Sequence, residues 1–293
     1  VSSPGCAHTS TTTIQVYPAV TFTNGNTVTL CSNGSLAQNL TTNVNPNQTF
    51  TWYASPNSNV SGISTTPQNT NLINDQLNNL TTSPQYVNYT VTATSSAALG
   101  SCTNNQTVYV TVNPSIVLTD PADLVLCPGV SQSAISFVSI PPTGVTYNWT
   151  NSNSSIGVAT AGSGSIPSFN PVNNTGGNIS ATITVTPQIG ICYGAAQSFT
   201  ITVKPMPTVS GDSDQSICLG QSFNSITFSS ASGVANSTFN WSNSNTAIGL
   251  GASGSGNISA FSPSVSGNAT ITVTPTANGC TGTGQSFMVP KVH

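Results

Sequence analysis

Three copies of a Cys–Trp–Cys pattern follow one another along the sequence, and this repetition constrains the fold more than any other feature. The Cys-to-Trp separations are 21, 22 and 23 residues, and the early cysteines recur after 96 and 91 residues. A repeat of about 90 residues has the size of a small domain. The sequence therefore predicts tandem domains. The three copies are Cys31, Trp52 and Cys102; Cys127, Trp149 and Cys192; and Cys218, Trp241 and Cys280.

A fourth, partial copy precedes the first complete one. Cys6 lies twelve residues before Pro18, and the same interval separates Cys102 from Pro114. Residues 1–18 are therefore predicted to be the closing strand of a preceding repeat. Two explanations of Cys6 follow: it is unpaired because the chain is a segment of a longer one, or it pairs between subunits, as in donor-strand exchange. The predicted domains are repeat 1 at 19–114, repeat 2 at 115–205 and repeat 3 at 206–293.

The local patterns within each repeat are those of β-strands. Apolar residues alternate with Thr in segments such as 181–187 and 199–204, as expected for strands with one buried and one exposed face. Segments rich in Gly, Asn and Pro separate these strands at intervals of roughly 8–12 residues, which is typical of sandwiches. The predicted fold class is all-β, with each repeat an antiparallel sandwich of about seven strands.

The six cysteines of the complete copies are predicted to be disulfide-bonded, because regularly spaced cysteines in a β-rich chain are typical of exported proteins. Pairing within each repeat would hold together one end of each sandwich. The three tryptophans recur at equivalent strand positions and are interpreted as core anchors, each burying on the order of 200 Å². An aromatic platform for sugars is the alternative. The predicted pairs are Cys31 with Cys102, Cys127 with Cys192 and Cys218 with Cys280, and the tryptophans are Trp52, Trp149 and Trp241.

The chain is nearly uncharged, and this excludes several classes of function. Among 293 residues there are two Lys, five Asp, and neither Glu nor Arg. Binding of nucleic acid needs basic side chains that neutralise phosphates, and no apolar run approaches the roughly 18 residues that span a bilayer. Nucleophilic catalysis needs a His beside a Ser or Cys, and the two histidines are at positions 8 and 293. We therefore expect no nucleic-acid partner, no membrane insertion and no enzymatic activity.

Four of the five aspartates precede the early cysteines of repeats 2 and 3. Carboxylates at a domain junction could bind Ca²⁺ together with backbone carbonyls. Asp also favours turns at strand entry through side-chain hydrogen bonds. No cofactor is therefore predicted, and a junction calcium site is a second interpretation of these residues. The candidate ligands are Asp120, Asp123, Asp212 and Asp214.

Repeats 2 and 3 share nearly identical segments. Residues 148–157 read NWTNSNSSIG, and residues 240–249 read NWSNSNTAIG. The sequence ATITVTP occurs at both 181–187 and 269–275. Together with a GSGxI turn and a late cysteine, these motifs resemble the PKD-like and Ig-like repeats of giant Bacteroidota cell-surface adhesins, which include gliding-motility adhesins and proteins exported by the type IX route. The resemblance covers residues 115–290 well and repeat 1 more loosely. It implies Ig-like sandwiches and a role as a stalk or adhesive filament.

The predicted function is a structural or adhesive segment of a large bacterial surface protein or extracellular filament, in which disulfide-stapled repeats transmit force or present an adhesive tip. Expected partners are neighbouring repeats of the same chain, further copies in a homo-oligomer or fibre, and surface glycans. With so few charges, sheet edges must be protected by proline, bulges or neighbouring chains, which favours assembly. Two alternatives remain: an array of carbohydrate-binding modules, and an appendage subunit that donates residues 1–18 as a strand.

Overall fold

The computed structural model of the chain is all-β, as predicted. Its strands form sandwiches of mainly antiparallel sheets, and the helical elements of the described part are three single-turn 3-10 segments, Ala97–Leu99, Ser154–Ile156 and Thr246–Ile248. Val, Ile, Thr, Tyr and Phe dominate the strands, because β-branched and aromatic side chains pack well on a pleated surface. The structure describes residues 5, 10–211, 214, 216–263 and 265–289.

The first sandwich comprises residues 20–113. Its strands are β1 (Thr27–Cys31), β2 (Gly34–Ser35), β3 (Gln38–Asn39), β4 (Gln48–Ala54), β5 (Val60–Ser61), β6 (Leu72–Ile73), β7 (Gln76–Asn79), β8 (Gln85–Ser95) and β9 (Thr103–Asn113). One sheet has the order β1-β9-β8-β4, and the other layer consists of β2-β7-β5 and β3-β6. Both layers contribute to one apolar cluster that includes Ile73, Leu77 and Val91. Alternating residues of β8 are buried, which places Tyr89 on the buried face and Tyr86, with the three threonines of the strand, on the outer face.

The second sandwich comprises residues 117–203. Its strands are β10 (Val117–Leu118), β11 (Leu124–Leu126), β12 (Ser139–Ile140), β13 (Thr146–Asn151), β14 (Ala161–Ser163), β15 (Ile179–Ile189), β16 (Cys192–Tyr193) and β17 (Gln197–Val203). The main sheet has the order β11-β17-β15-β13-β14. Bridges Gln132–Phe169 and Ile135–Ile166 add to the opposite layer. A separate apolar cluster contains Trp149, Ile183 and Phe199.

The third sandwich comprises residues 208–289. Its strands are β18 (Thr238–Asn243), β19 (Ser253–Ser255), β20 (Ala269–Ala277), β21 (Cys280–Thr281) and β22 (Gln285–Val289). The sheet runs β19-β18-β20, with β21 and β22 both paired to β20. A third cluster includes Phe223, Phe239 and Ile271. The three clusters fall within the predicted repeats, whose boundaries stay predictions.

Two sheets depart from the antiparallel prediction at one edge. Strand β1 runs parallel to β9, and β11 runs parallel to β17. In each case the first strand of the main sheet therefore ends beside the end of the strand that closes the sandwich. Cys31 is the register partner of Asn113, and Leu126 is the register partner of Val203. This register decides where the early cysteines lie.

By contacts between Cα atoms, the chain divides into two compact units. The hairpin Ile189–Gly194 belongs with the first sandwich, although its flanking strands belong to the second. No helix among the described residues is long and apolar enough to cross a membrane. The first unit holds the described residues up to Val117 with Ile140–Gly144 and Ile189–Gly194, and the second holds Leu118–Ser139, Val145–Gln188 and the described residues from Ala195 onward.

Candidate functional site

The first disulfide joins the early cysteine of repeat 1 to the late cysteine of repeat 2. Cys31 ends β1, and Cys192 lies in the hairpin Ile189–Gly194. Their Cα atoms are 5.4 Å apart and their separation in sequence is 161 residues. The Asn113 side chain donates a hydrogen bond of 3.6 Å to the Cys192 sulfur. The end of the first sandwich and this hairpin are therefore joined covalently and by a polar contact.

The second disulfide follows the same rule one repeat later. Cys127, directly after β11, is bonded to Cys280 of β21, with Cα atoms 5.6 Å apart and a separation of 153 residues. Beside it, the Lys204 ammonium donates a 2.6 Å hydrogen bond to the Asn278 carbonyl. Asn113 and Lys204 each stand immediately before a proline that ends a repeat. Both junctions thus combine a disulfide with a contact from the same repeat position.

The predicted pairing within repeats is wrong, and the parallel edge strand explains why. Cys31 lies beside the end of β9, whereas Cys102 directly precedes its start. Strand β9 has 11 residues, so the two cysteines are separated by roughly 35 Å of strand. A disulfide requires Cα atoms within about 7 Å. The early cysteine can reach the next repeat instead, because it lies where the chain leaves its own sandwich.

Two of the predicted disulfide cysteines are free in the described chain. Cys102 is half-buried and Cys218 is exposed. They are the late cysteine of repeat 1 and the early cysteine of repeat 3. Cys6, predicted to be unpaired or intermolecular, lies outside the described residues.

The junction aspartates hold strands together. The Asp123 carboxylate accepts a 2.6 Å hydrogen bond from the Thr200 backbone N–H, and Asp214 accepts one of 2.9 Å from the Met288 backbone N–H. The bonds from Thr200 lower the pKa of the Asp123 carboxyl below its usual value. Asp120 is exposed.

Among the described residues, the candidate ligands of the calcium site considered from the sequence do not form a cluster of carboxylates. Within the described ranges, no group of three or more His, Cys, Asp or Glu side chains is placed to hold a metal ion. Asp212, the remaining candidate ligand, lies outside those ranges. Asp123 and Asp214 instead accept hydrogen bonds from backbone 77 and 74 residues away in sequence, which differs from the local turn that was the alternative interpretation.

The fifth aspartate forms a buried polar network in the first sandwich. Asp75 accepts hydrogen bonds from the Ser64 backbone N–H at 2.7 Å, the Ser64 hydroxyl at 2.8 Å and the Tyr89 hydroxyl at 2.8 Å. Burial, the hydrogen bond to Asp75 and its charge raise the pKa of Tyr89 well above its usual value. The phenol therefore stays protonated and remains a donor to the carboxylate.

The tryptophans lie in or against the three apolar clusters. Trp52 and Trp149 are 3% and 4% exposed, and Trp241 is partly buried against the third cluster. The Trp52 indole N–H donates to the Thr70 carbonyl at 3.1 Å. None of the three indoles forms the exposed platform for sugars considered from the sequence.

A different set of aromatic side chains is exposed on the first sandwich. Tyr53, Tyr86 and Tyr109 are 42%, 69% and 50% exposed. They lie on β4, β8 and β9, where Tyr53 is the register partner of Thr90 and Tyr109 that of Asn88. Because side chains alternate along strands, all three project from the outer face of the same sheet. We call this surface the tyrosine face.

Repeat 2 carries no aromatic residue at the equivalent positions. We aligned the two sheets by matching Trp52 with Trp149 and then following the register to the neighbouring strands. In this alignment the three tyrosines correspond to small residues with hydroxyl groups. The tyrosine face is therefore a feature of one sandwich and not of the fold. The equivalent residues are Thr150, Ser180 and Thr200.

A polar groove lies along β4 on the same sandwich. Its volume is about 590 Å³, and hydroxyl and amide side chains form much of its wall. Thr51 lines the groove and is two residues from Tyr53, so both project from one face of β4. Asp75 is the only Asp, Glu, Lys or Arg within residues 1–117, and it is buried. The groove and the tyrosine face thus form a neutral, hydroxyl-rich and aromatic surface.

Sequence reasoning missed this surface and the pairing of the cysteines. The alternation in QYVNYT at 85–90 was available as a signal, since it places Tyr86 and Tyr89 on opposite faces of a strand. The disulfide pairing required the parallel register of β1 and β9, which the spacing of cysteines does not contain.

Residues 28–116 match the PKD-like domain family. This segment is about a third of the chain; it covers most of the predicted repeat 1, residues 19–114, and ends two residues beyond it. The part of the chain that resembled such repeats more loosely from its motifs is therefore the part that the family match covers. No curated protein matches the sequence.

Among solved structures, the chain is similar to tandem Ig and cadherin domains at low sequence identity. The titin domains I67–I69 show 13% identity with a TM-score of 0.43, covering 92% of this chain and 98% of that one. The eight N-terminal Ig domains of Down Syndrome Cell Adhesion Molecule show 14% identity and a TM-score of 0.39, covering 94% and 37%. The human desmocollin-1 ectodomain shows 10% identity and a TM-score of 0.33, covering 92% and 60%. Scores of this size establish no shared function.

Proposed function

We propose that this chain is a structural segment of an extracellular adhesive or filamentous protein of a bacterial surface, whose repeats are joined covalently to their neighbours. The observation that supports the proposal is the pairing of early cysteines with the late cysteines of the next repeat, through Cys31–Cys192 and Cys127–Cys280. Disulfides persist in oxidising, extracellular compartments. A nearly uncharged surface also has little electrostatic energy for salt to screen.

The two disulfides overlap in sequence, and this limits how far the chain can be extended. Residues 31 and 280 are 249 residues apart, which corresponds to roughly 870 Å of extended chain. With both bridges intact, the shortest covalent path between them passes through both disulfides and the 65 residues from 127 to 192. That path extends to roughly 230 Å. Each bridge alone also lowers the conformational entropy of the unfolded chain. In the loop-entropy model this stabilises the folded state by about 5 kcal/mol.

Pulling single molecules by their two ends tests this mechanism. We expect the distance between residues 31 and 280 to reach no more than roughly 230 Å when the protein is oxidised, and to reach roughly 870 Å in reductant. Replacing Cys31 and Cys192 by Ser leaves the path through residues 31–127 and the second bridge, which extends to roughly 340 Å. The matched control replaces the free Cys102 and Cys218 by Ser and should keep the oxidised limit. Full extension of the oxidised protein would refute the proposal.

A second function is favoured by one observation, the tyrosine face. Tyr53 and Tyr109 lie on strands separated by β8, so their positions are roughly 10 Å apart across the sheet. Exposed rings present apolar area with a polar tip, suited to the C–H faces and hydroxyls of pyranose rings. Hydroxyls and amides from the neighbouring groove supply hydrogen bonds, and the absence of nearby charge favours a neutral ligand. We propose that this sandwich binds a neutral surface polysaccharide.

Replacing the three tyrosines by the residues that repeat 2 carries tests this second function. Tyr53→Thr, Tyr86→Ser and Tyr109→Thr remove the rings from exposed positions, where substitutions usually change stability little. The triple variant should lose retardation in gels containing neutral polysaccharides, while Tyr193→Ser, another exposed tyrosine outside this face, should keep it. Equal mobility of the original chain with and without every neutral glycan tested would reject glycan binding.

A further inference from the structure

Two cysteines without a disulfide partner occupy positions that are bonded elsewhere in the same chain. Cys102 is equivalent to Cys192 and Cys280, which are both bonded to the early cysteine of the repeat before. Cys218 is equivalent to the early cysteines, which are both bonded to the repeat after. By the rule of the two disulfides, the partner of Cys102 belongs to a repeat that precedes repeat 1. The partner of Cys218 belongs to a repeat that follows repeat 3.

Cys102 occupies the same connection between strands as the bonded late cysteines. It lies between β8 and β9, where its N–H donates to the Ser95 hydroxyl at 2.9 Å and its carbonyl accepts from the Ser95 N–H at 2.9 Å. Cys192 lies in the corresponding connection between β15 and β17, and Cys280 in that between β20 and β22. The turn that presents the sulfur is thus already formed at Cys102.

An independent observation places the segment before Pro18, which is predicted to close another repeat, beside Cys102. The residue before the closing proline contacts the next late-cysteine hairpin at both bonded junctions, through Asn113 and Lys204. Tyr17 holds this position before Pro18. Its ring lies against Gly100, two residues from Cys102, so closely that a Cβ on Gly100 would be 2.8 Å from the ring Cγ.

The segment that carries Tyr17 exposes apolar side chains that the equivalent strand, β9, buries in its sandwich. Ile14 and Val16 are 82% and 87% exposed, whereas their equivalents in β9, Val110 and Val112, are 1% and 0% exposed. Early cysteines lie opposite the residue before the closing proline, as Cys31 does opposite Asn113. A repeat closed by this segment would place its early cysteine beside Tyr17, next to Cys102.

We propose that Cys102 and Cys218 are the sites at which the chain of inter-repeat disulfides continues in both directions. Cys102 bonds to the early cysteine of a repeat closed by residues 10–18, and Cys218 bonds to the late cysteine of a repeat that follows residue 289. The inference rests on the proposed mechanical function and names the partner as another copy of the same repeat. Every repeat is then bonded to both neighbours.

Formation of each bond needs an oxidant, and a small disulfide such as oxidised glutathione suffices. The thiolate of one cysteine attacks a sulfur of the oxidant and releases one glutathione thiolate. The second cysteine thiolate attacks the protein sulfur of the mixed disulfide and releases the other. The two cysteines lose two electrons and two protons, which the two glutathione molecules carry away.

Adding one repeat in front of the chain tests the Cys102 site. A fusion of residues 115–192 to residues 7–293 gives the closing segment a complete sandwich body whose early cysteine is a second Cys127. After oxidation with glutathione, peptide mapping without reduction should show the added Cys127 bonded to Cys102, and Cys102 should lose its reactivity with iodoacetamide. The original chain is the reference, in which Cys102 is alkylated.

The matched control is the same fusion with the added Cys127→Ser, in which Cys102 should again be alkylated. If Cys102 in the unmutated fusion stays as reactive as in the original chain, or bonds to the added Cys192, the proposal is overturned. Mapping also reports the original Cys31–Cys192 bond, whose persistence shows that the rest of the chain is folded.

A second fusion tests Cys218 and remains informative if the first does not fold. Residues 1–289 followed by residues 111–205 place a copy of repeat 2 after β22, and Cys218 should bond to the added Cys192. A free Cys218 in this protein contradicts the proposal. Neither fusion depends on the extension limit set by the two existing bridges, so the proposed mechanical function and this inference can fail separately.

Discussion

The first and second sandwiches place a tryptophan at the same strand position but accommodate it differently. Trp52 is bridged to Gln68, and its indole N–H donates to the Thr70 carbonyl. Trp149 faces Gly162, and its buried indole N–H has no hydrogen-bond partner among the described residues. The first sandwich therefore satisfies the polar atom, whereas the second brings backbone closer to the ring at the expense of that bond.

The same contrast recurs in the centre of the two cores. Tyr89 of the first sandwich donates to the buried Asp75, and the equivalent position in the second is Ile183, which is fully buried. The third sandwich has Ile271 there and faces Trp241 with Gly254. One fold is thus stabilised by a polar network in one repeat and by close apolar packing in the other two. For each kind of packing, we therefore expect a different residue to be the one whose substitution lowers stability.

The largest effect is expected from Gly162→Ala in the second sandwich. A Cβ at this position would overlap Cζ2 of Trp149 and lie 2.7 Å from Cε2. The buried ring must then move, and overpacking of this kind costs about 1–3 kcal/mol, here at the upper end. Urea unfolding followed by tryptophan fluorescence measures the loss. The matched control is Gln68→Ala, because the facing residue in the first sandwich already has a Cβ, and its unfolding midpoint should change much less.

Gly254→Ala should behave like Gly162→Ala, since the same ring atoms of Trp241 lie against it. Equal unfolding midpoints for Gly162→Ala and Gln68→Ala would mean that the second sandwich does not depend on close backbone approach. The comparison between the two tryptophans would then have no energetic consequence.

A smaller effect is expected from Tyr89→Phe in the first sandwich. The variant keeps the buried ring but removes one of three hydrogen bonds to Asp75. Loss of a hydrogen bond to a buried charged group destabilises by about 1.5–3 kcal/mol. Tyr86→Phe, on the exposed face of the same strand, is the control and should change stability by less than about 0.5 kcal/mol. Indistinguishable urea midpoints for the two variants would show that the network contributes nothing.

The repeated Cys–Trp–Cys pattern and the alternation of apolar residues were enough to predict the all-β fold, because both depend on local periodicity. The partners of Cys31 and Cys127 depend on which strand lies beside β1 and β11, and local periodicity does not determine that. Gly162 and Gly254 belong to the GSGxI motif, interpreted from sequence as a turn. Their second role, close contact with an indole, exists only after β13 and β14, or β18 and β19, are paired.

The smallest effect on stability is expected at one backbone N–H group of the closing strand. The first two sandwiches provide different hydrogen-bond acceptors for it. In the first, the Tyr109 N–H donates to the Asn26 backbone carbonyl at 2.8 Å; in the second, the equivalent Thr200 N–H donates to the Asp123 carboxylate. Only the second hydrogen bond has an acceptor that can be protonated, the Asp123 carboxylate. Because Thr200 lowers the pKa of Asp123, the carboxylate stabilises the folded state above its unfolded pKa of about 3.9. This contribution is lost as pH falls through the lower folded value.

Asp123→Asn should therefore unfold more easily than the original chain at neutral pH, and the difference should shrink below about pH 4 as the original carboxyl becomes protonated. Urea midpoints measured for both proteins between neutral and strongly acidic pH provide the comparison, with Asp120→Asn as the control for removing an exposed carboxylate that has no hydrogen-bonded strand. A difference between Asp123→Asn and the original chain that stays constant with pH would assign the effect to packing of the side chain. The edge strand of the second sandwich would then be as insensitive to acid as that of the first.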